Sequence, residues 1–209
     1  MDKHIVDARR LVVFTVLAVA STATNAKAEW VVTPYLGANL AGDAEFRRGG
    51  PGVSVGYFRD TLGFEVDFMR YNHFFKDANV DLVPNNCRPG VARDVPCIDL
   101  NTDAVGLMGN VVARFRSPQA KWRPYGTAGL GVIHPWIQGP GDQYDVDQND
   151  FALNVGGGVM GSLKGRLGLR ADLRYFHAFV DETNREGAYF RDYGFLRTTV
   201  GVSFRFSRK

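Results

Sequence analysis

Histidine and serine are the residue types in this chain that could carry out nucleophilic catalysis. A serine hydroxyl attacks a substrate only when a neighbouring base accepts its proton. Beyond the N-terminal stretch, the histidines are His73, His134 and His177, and the serines are Ser54, Ser117, Ser162, Ser203 and Ser207. No serine of that set lies within two residues of a histidine. The sequence therefore offers no local nucleophile–base pair, and we expect no catalytic residues.

The acidic stretch DQYDVDQND resembles a calcium-binding loop only in part. Asp145, Asp147 and Asn149 stand at the spacing of the first three ligands of a helix–loop–helix calcium loop. Asp150 occupies the position that needs glycine, and Gly156 occupies the position that needs a bidentate glutamate. We interpret the stretch as a solvated loop and expect neither a metal site nor a cofactor, although weak contact with a divalent cation stays open.

Charged residues of both signs alternate with apolar residues in two other stretches. Glu65 and Asp67 alternate with phenylalanine and valine, and Arg170, Asp172 and Arg174 alternate with leucine and alanine. Alternation places the charges on one face of a strand and the apolar residues on the other. Opposite charges on facing strands would neutralise one another inside a narrow interior, where a single unpaired charge is costly. We predict that these five residues form an interior charge network.

Eight segments that could position these residues show a period of two. They begin at Trp30, Gly49, Leu62, Thr102, Trp122, Phe151, Arg166 and Tyr193. Most are longer than a usual strand of a soluble protein, and no segment outside the N-terminal stretch has a helical period. The sequence therefore predicts an all-β protein.

The connections between the segments alternate between short and long. Short ones such as RDTLG, RSPQAK and KGRLG follow the even-numbered segments, and longer ones follow the odd-numbered segments. This pattern is typical of an up-and-down barrel with short turns at one rim and long loops at the other. We predict an eight-stranded antiparallel transmembrane β-barrel with both termini at the rim of the short turns. The long connections would lie outside the cell and the short turns in the periplasm.

The apolar face of each segment is predicted to face outward, into lipid. The opposite face is rich in glycine and in charges of both signs, which suits the narrow, side-chain-filled interior of an eight-stranded barrel. Aromatic residues near the segment ends are predicted to form two girdles at the membrane interfaces. These residues are Trp30, Phe58, Phe115, Trp122, Phe204 and Phe206 at the short-turn rim, and Phe74, Phe75, Trp136, Phe179 and Tyr193 at the other. Arg70 has lipid-facing parity, so we expect either a β-bulge near Met69 or a position close to the outer interface.

The N-terminal stretch resembles a secretory signal peptide. Charged residues that end in Arg9 and Arg10 precede an apolar run, and Ala26-Lys27-Ala28 supplies the small residues of a cleavage site. We predict a cleaved leader over residues 1–28 and a barrel domain over residues 29–209. The formal net charge of +3 belongs partly to this leader, so the exported chain is close to neutral. Such a charge balance does not favour a nucleic-acid partner.

Cys87 and Cys97 are the only cysteines of the sequence. An exported chain with an even number of cysteines usually pairs them, and C-x-x-C spacing is absent. We predict a structural disulfide between Cys87 and Cys97, worth about 2–3 kcal/mol by closing a short loop.

Three motifs give the chain a resemblance to a known family. PYLGA at Pro34 and RPYGTAGLGV at Arg123 look like its strand openings, and GVSVGYF at Gly52 is similar to its second strand. The last strand resembles its assembly signal, which would comprise Thr199, Gly201, Phe204 and Phe206. The family is that of small outer-membrane β-barrels of Gram-negative bacteria, typified by the transmembrane domain of OmpA. The resemblance implies the cell outer membrane as location. It also implies three sets of partners: membrane lipid with lipopolysaccharide, the barrel assembly machinery and a ligand of the loops.

Two other functions stay open beside a structural or interaction role. A lipid A acyl hydrolase or acyltransferase can use the same barrel fold, but YFHAFVD lacks the His-x-Ser pattern that resembles lipid A deacylases. A soluble barrel of the lipocalin type would need an apolar interior, whereas this sequence places its strand charges opposite the apolar face.

Overall fold

The structure is a computed structural model that describes residues 28–75, 101–115, 120–138, 146–147, 149–180 and 192–207. Within these ranges every helix or strand is a β-strand, as the all-β prediction required. The long strands are β1 (Ala28–Gly42), β2 (Gly49–Arg59), β3 (Leu62–Tyr71), β4 (Asn101–Arg114), β5 (Trp122–Gln138), β6 (Asp150–Ser162), β7 (Leu167–Phe179) and β8 (Tyr193–Ser207). A two-residue strand, Val146–Asp147, pairs with the end of β5. In the described ranges no helix has the length and apolarity to cross a membrane.

The eight long strands form a closed antiparallel barrel. Each strand pairs with its neighbours in sequence, and β8 returns to pair with β1. Closure leaves no long strand with an unpaired edge, which removes the aggregation hazard of an open sheet. The eight-stranded up-and-down barrel predicted from the sequence is confirmed, and the predicted segments begin within two residues of the observed strands.

Alternation along the strands separates an inner face from an outer one. In β3 the burial of successive residues alternates without interruption, with Glu65 and Asp67 buried and Phe64, Val66 and Phe68 exposed. The same alternation places Arg170, Asp172 and Arg174 of β7 inside the barrel. Polar residues therefore face the interior and apolar residues face outward, which is the reverse of a soluble barrel.

The two rims of the barrel differ in their connections. At one rim, which we call the turn end, Asp60 and Thr61 link β2 to β3, residues 115–121 link β4 to β5, and residues 163–166 link β6 to β7. The described ends of the chain, Ala28 and Ser207, lie at this rim too. The opposite rim, the loop end, has longer connections, including residues 72–100 and 180–192.

Arg70 lies close to the loop end of β3 and faces outward. The register of β3 with β4 continues without a shift through Met69, Arg70 and Tyr71, and its register with β2 is regular up to Met69, so the predicted alternative of a bulge near Met69 is wrong. Arg70 instead reaches Asp103 of β4 at 3.6 Å, with more than half of its side chain exposed. A position at the strand end lets the long side chain extend toward water.

Candidate functional site in the barrel interior

The outer surface of the barrel is a continuous apolar band. Leu36, Leu107, Leu130, Val155 and Val200 are each more than half exposed, although leucine and valine are usually buried. Monomeric soluble proteins rarely expose such large contiguous apolar areas. The band therefore defines a surface for hydrocarbon.

Aromatic residues flank this band, but not all those predicted from the sequence. Trp30, Phe115, Trp122, Phe204 and Phe206 are exposed near the turn end, and Phe179 is exposed near the loop end. The predicted girdle was wrong for Phe58, Phe74, Phe75 and Tyr193, which are all buried in the interior. Phe58 shares the inward parity of Ser54 and Gly56. Phe74 and Phe75 follow the end of β3, where strand parity no longer sets the direction of a side chain.

The centre of the interior contains charged residues from opposite walls of the barrel. Glu65 and Asp67 come from β3, and Arg170, Asp172 and Arg174 come from β7, with three strands between the two walls in either direction. Each of these side chains is at most 3% exposed. The structure thus brings together all five residues for which the sequence predicted a charge network.

Each arginine of β7 contacts more than one carboxylate. Arg170 donates two hydrogen bonds to Glu65, one of them at 3.2 Å, and its Nε lies 3.2 Å from Asp172 Oδ2. Arg174 reaches Glu65, Asp67 and Asp172 at distances between 2.9 and 3.1 Å. Multiple contacts of this kind offset the desolvation of buried charges, which a single contact does not.

A sixth charged residue, Arg197 of β8, completes the network. Its Nη2 lies 2.8 Å from Asp67 Oδ2, and its guanidinium stacks over the ring of Phe176 at 4.7 Å. With Arg197, three arginines face three carboxylates, so the described network carries no net charge. Arg197 was not among the residues predicted from the sequence, although its parity with Thr199 on the polar face of the last strand was a usable signal.

Two tyrosine hydroxyls extend the network by hydrogen bonds. Tyr125 donates to Asp172 Oδ2 at 2.7 Å and accepts from Arg170 Nε at 2.7 Å. Tyr35 donates to Asp67 Oδ1, and its ring crosses the interior over Gly52. Any side chain at Gly52 would collide with that ring, which explains a glycine in the middle of β2.

Above the network, toward the loop end, aromatic rings fill the interior. We call this cluster the aromatic plug; it comprises Tyr71, Phe74, Phe75, Phe176, Tyr193 and Phe195. Phe74 packs against Tyr71 and Phe195 with ring centroids 4.9 and 5.1 Å apart, and Phe176 stacks on Phe195 at 4.9 Å. Backbone contacts hold it, since the amides of Phe74 and Phe75 both donate to Thr102.

The described histidines and serines lie in different parts of the barrel. His177 faces outward near the loop end, with its Nε2 4.0 Å from Asp192, and His134 Nδ1 lies 3.2 Å from Asn149. Ser54 and Ser162, in contrast, line the interior, where they accept hydrogen bonds from Arg170 and Arg205. This arrangement gives the described histidines no serine nucleophile to activate.

Several predicted features fall outside the described residues. Cys87, Cys97 and Asp145 are among them, as is the leader up to residue 27, so the disulfide and the cleavage stay predictions. The interpretation of DQYDVDQND as a solvated loop is wrong in part, because Val146–Asp147 pairs with β5 and Asp150 is buried at the start of β6, where it accepts a hydrogen bond from Tyr193. Among the described residues no cluster of three or more histidine, cysteine, aspartate or glutamate side chains could hold a metal ion.

The residues of the predicted assembly signal lie on both faces of β8. Thr199 and Gly201 are buried in the interior, and Phe204 and Phe206 face outward at the turn end. Phe206 pairs with Trp30 of β1, and Phe204 pairs with Leu167 of β7. Their recognition by assembly machinery remains a prediction.

The fold and its two faces define a membrane-spanning β-barrel with a polar interior. Residues 12–206 match the family model of the outer membrane protein beta-barrel domain, and the chain belongs to that family. The protein is therefore an outer-membrane β-barrel.

Solved structures of similar fold come from several bacteria. Neisserial surface protein A is 20% identical, with a TM-score of 0.53 over 86% of this chain and 96% of its own. The N-terminal barrel of Pseudomonas aeruginosa OprF is 18% identical, with a TM-score of 0.51 over 87% of this chain and 100% of its own. A major outer membrane protein of Thermus thermophilus is 13% identical, with a TM-score of 0.55 over 86% of this chain and 99% of its own. No curated protein matches the chain.

Proposed function

We propose that this protein is a non-enzymatic outer-membrane barrel with a filled polar lumen that does not conduct large solutes. Its role is structural or one of interaction, through the four connections of the loop end. A rigid scaffold that presents variable loops is a common arrangement for recognition. The turn end faces the periplasm in this proposal, and the loop end faces the cell exterior.

The occupied interior is the single observation that carries the proposal. The charge network joins β3 to β7 across the full width of the barrel, and the aromatic plug lies between the network and the loop end. A solute would have to break several buried ion pairs and displace packed rings in order to pass. Both barriers together support a scaffold in preference to a pore.

Conductance measurements on the purified barrel test the closed interior. We expect no stable unitary conductance for the wild-type protein in planar bilayers, with an open porin as the positive control. The variants Phe74→Ala and Phe195→Ala each remove one ring of the aromatic plug but keep the charge network. We therefore expect at most brief conductance events from them. Regular conductance steps of the wild-type protein would contradict the proposal.

An acyl-release assay tests the absence of enzymatic activity. Cells that express the barrel should show no loss or transfer of acyl chains on lipid A, judged by mass spectrometry. Modification that disappears in His177→Ala, while the barrel still reaches the outer membrane, would instead establish the lipid A-modifying alternative.

Lipopolysaccharide is the partner that we propose for basic residues of the loop end. Arg47 and Arg48 are exposed between β1 and β2, and Arg70 extends outward at the end of β3. Guanidinium groups bind phosphate with charge-assisted hydrogen bonds. Arg88, Arg93, Arg185 and Arg191, outside the described residues, belong to the same proposal.

Binding to lipid A with and without its phosphates tests this contact. We expect Arg47→Gln combined with Arg70→Gln to weaken binding to phosphorylated lipid A about fivefold, equivalent to about 1 kcal/mol. Lys164→Gln is the matched control, because Lys164 is an exposed basic residue of the turn end. If the double variant and Lys164→Gln lost the same affinity, or if the loss were the same for lipid A with and without phosphates, the proposed contact would be wrong.

A further inference from the structure

A second cluster of arginines surrounds a small cavity inside the turn end of the barrel. Arg114 of β4, Arg123 of β5 and Arg205 of β8 line it, together with Ser162 and Ser203. The volume of the cavity is about 10 Å³, close to the space that a single water-sized particle needs. Arg205 at its edge is partly exposed, so the cavity lies near the mouth of the lumen.

The charges around this cavity are not balanced by the residues that contact it. Glu29 is the carboxylate beside the three arginines, with its Oε1 2.6 Å from Arg114 Nη1 and 3.6 Å from Arg123 Nη2. Arg205 donates to the neutral hydroxyl of Ser162 at 2.6 Å. Among the residues that the structure describes, the cluster therefore has an excess of two positive charges, although Arg114 and Arg123 are at most 6% exposed.

Donor groups at the cavity are left without partners. Arg114 Nε and Nη2 and the Ser203 hydroxyl are buried and have no hydrogen-bond partner among the described residues. The guanidinium of Arg114 lies over the ring of Phe58, with its Cζ 3.7 Å from the ring centroid. The ring covers one face of the guanidinium, and the N–H groups in its plane can donate only to its edges. Leaving such donors unpaired in a buried position is costly.

We propose that this cavity binds one small inorganic anion of the size of chloride. A halide accepts hydrogen bonds from several directions, so one ion could satisfy the free donors of Arg114 and Ser203 together. It would also remove half of the excess positive charge, which a water molecule would not. The volume favours a monatomic ion over phosphate or a carboxylate group, because a larger anion would have to displace the surrounding side chains.

Thermal unfolding at constant ionic strength provides the first test. The full barrel, refolded in an uncharged detergent, is heated in buffers in which sodium chloride progressively replaces sodium gluconate. We expect a saturable rise of about 2–4 °C in the melting temperature with chloride, because a ligand that binds only the folded state stabilises it. The rise should disappear in Ser203→Ala and in Arg205→Gln.

Thr127→Val is the matched control for the loss of a hydroxyl. Thr127 is also buried and its hydroxyl has no partner among the described residues, but it does not line the cavity. It should keep the full response to chloride, which separates binding at the cavity from a general effect of the salt. An equal response in the wild type and both cavity variants would overturn the proposal, as would a stronger response to phosphate than to chloride.

Crystals grown in sodium bromide provide a direct second test. We expect an anomalous bromide peak in contact with Arg114 and the Ser203 hydroxyl, and none at this place in Ser203→Ala. A cavity without an anomalous peak in the wild-type crystals would overturn the proposal. This test is independent of the proposed scaffold function, because it reports the ion itself.

Discussion

Two clusters of buried arginines lie at different heights inside the same barrel and are neutralised in different ways. In the central network, Arg170, Arg174 and Arg197 face three carboxylates, and each arginine is in contact with at least one of them. At the turn end, Arg114 and Arg123 share Glu29, and the guanidinium of Arg205 contacts only the neutral hydroxyl of Ser162 among the described residues. The charges of the central cluster cancel, whereas the described residues at the turn end leave two positive charges unbalanced.

The difference follows from where each cluster lies along the barrel axis. A charge at the centre of the membrane is far from water and from ions, so its counter-charge has to come from the protein. A charge near the mouth of the barrel is within reach of the surrounding water, where small anions are available. The barrel therefore uses ion pairs at its centre and tolerates an excess charge at its end.

The largest loss of stability is expected when one carboxylate of the central charge network is neutralised. Glu65→Gln leaves Arg170 and Arg174 without one of their carboxylate partners but keeps the shape of the side chain. We expect a loss of about 3–5 kcal/mol in the free energy of unfolding, as for other buried pairs from which one partner is removed. Urea unfolding of the barrel in lipid vesicles measures this loss.

Phe64→Leu is the matched control, since Phe64 is the neighbour of Glu65 on the outer face of β3. Lipid replaces the contacts of this side chain, so we expect a change well below that of Glu65→Gln. Similar losses for the two variants would mean that the central network does not stabilise the barrel more than an ordinary surface position.

A double variant restores the charge balance of the central network and should recover part of the lost stability. Arg170→Gln combined with Glu65→Gln removes one charge of each sign, so no excess charge stays buried. We expect the double variant to be more stable than the sum of the two single losses by about 1–3 kcal/mol. Strict additivity would show that Arg170 and Glu65 do not interact, in contradiction to their contact in the structure.

The strand alternation explains why the sequence predicted this network so closely. Glu65 and Arg170 each sit in an uninterrupted period of two, and a barrel with lipid outside leaves only the interior for them. The same rule would have identified Arg197 and the inward position of Phe58. The prediction for Phe58 was wrong because it assigned every aromatic residue near a strand end to the interface girdles. The alternation of β2 places Phe58 inside the barrel instead.

Phe74 and Phe75 of the aromatic plug were beyond the reach of this rule, whereas Tyr71, Phe176 and Phe195 follow the alternation of their strands. Phe74 and Phe75 follow the end of β3, and His73 before them has a positive φ of 52°, which turns the chain inward. No alternation pattern contains such a reversal. The excess charge at the turn end also escaped prediction, because Arg114, Arg123 and Arg205 belong to three different strands whose register the sequence does not specify.

A smaller effect is expected when the imbalance at the turn end is increased. Glu29→Gln raises the excess from two to three positive charges, so the cluster repels itself more strongly. We expect a loss of about 1–2 kcal/mol at low ionic strength and less at high chloride, because salt screens charges near water. Unfolding of the refolded barrel at several chloride concentrations measures this loss. If the loss of stability in Glu29→Gln did not depend on the salt concentration, the charges at the turn end would be no closer to solvent ions than those of the central network.

The smallest loss of stability is expected for a charge pair at the loop end whose arginine is exposed, and it gives a reference for the two losses above. Arg70 and Asp103 are 3.6 Å apart, and more than half of the Arg70 side chain is exposed, so water already solvates the arginine. We expect Arg70→Gln to change the free energy of unfolding by about 0.2–1 kcal/mol. The same urea titration in vesicles measures it, and Arg48→Gln, which breaks the exposed pair with Glu45, is the control. A loss as large as that of Glu65→Gln would mean that burial does not decide the strength of these pairs.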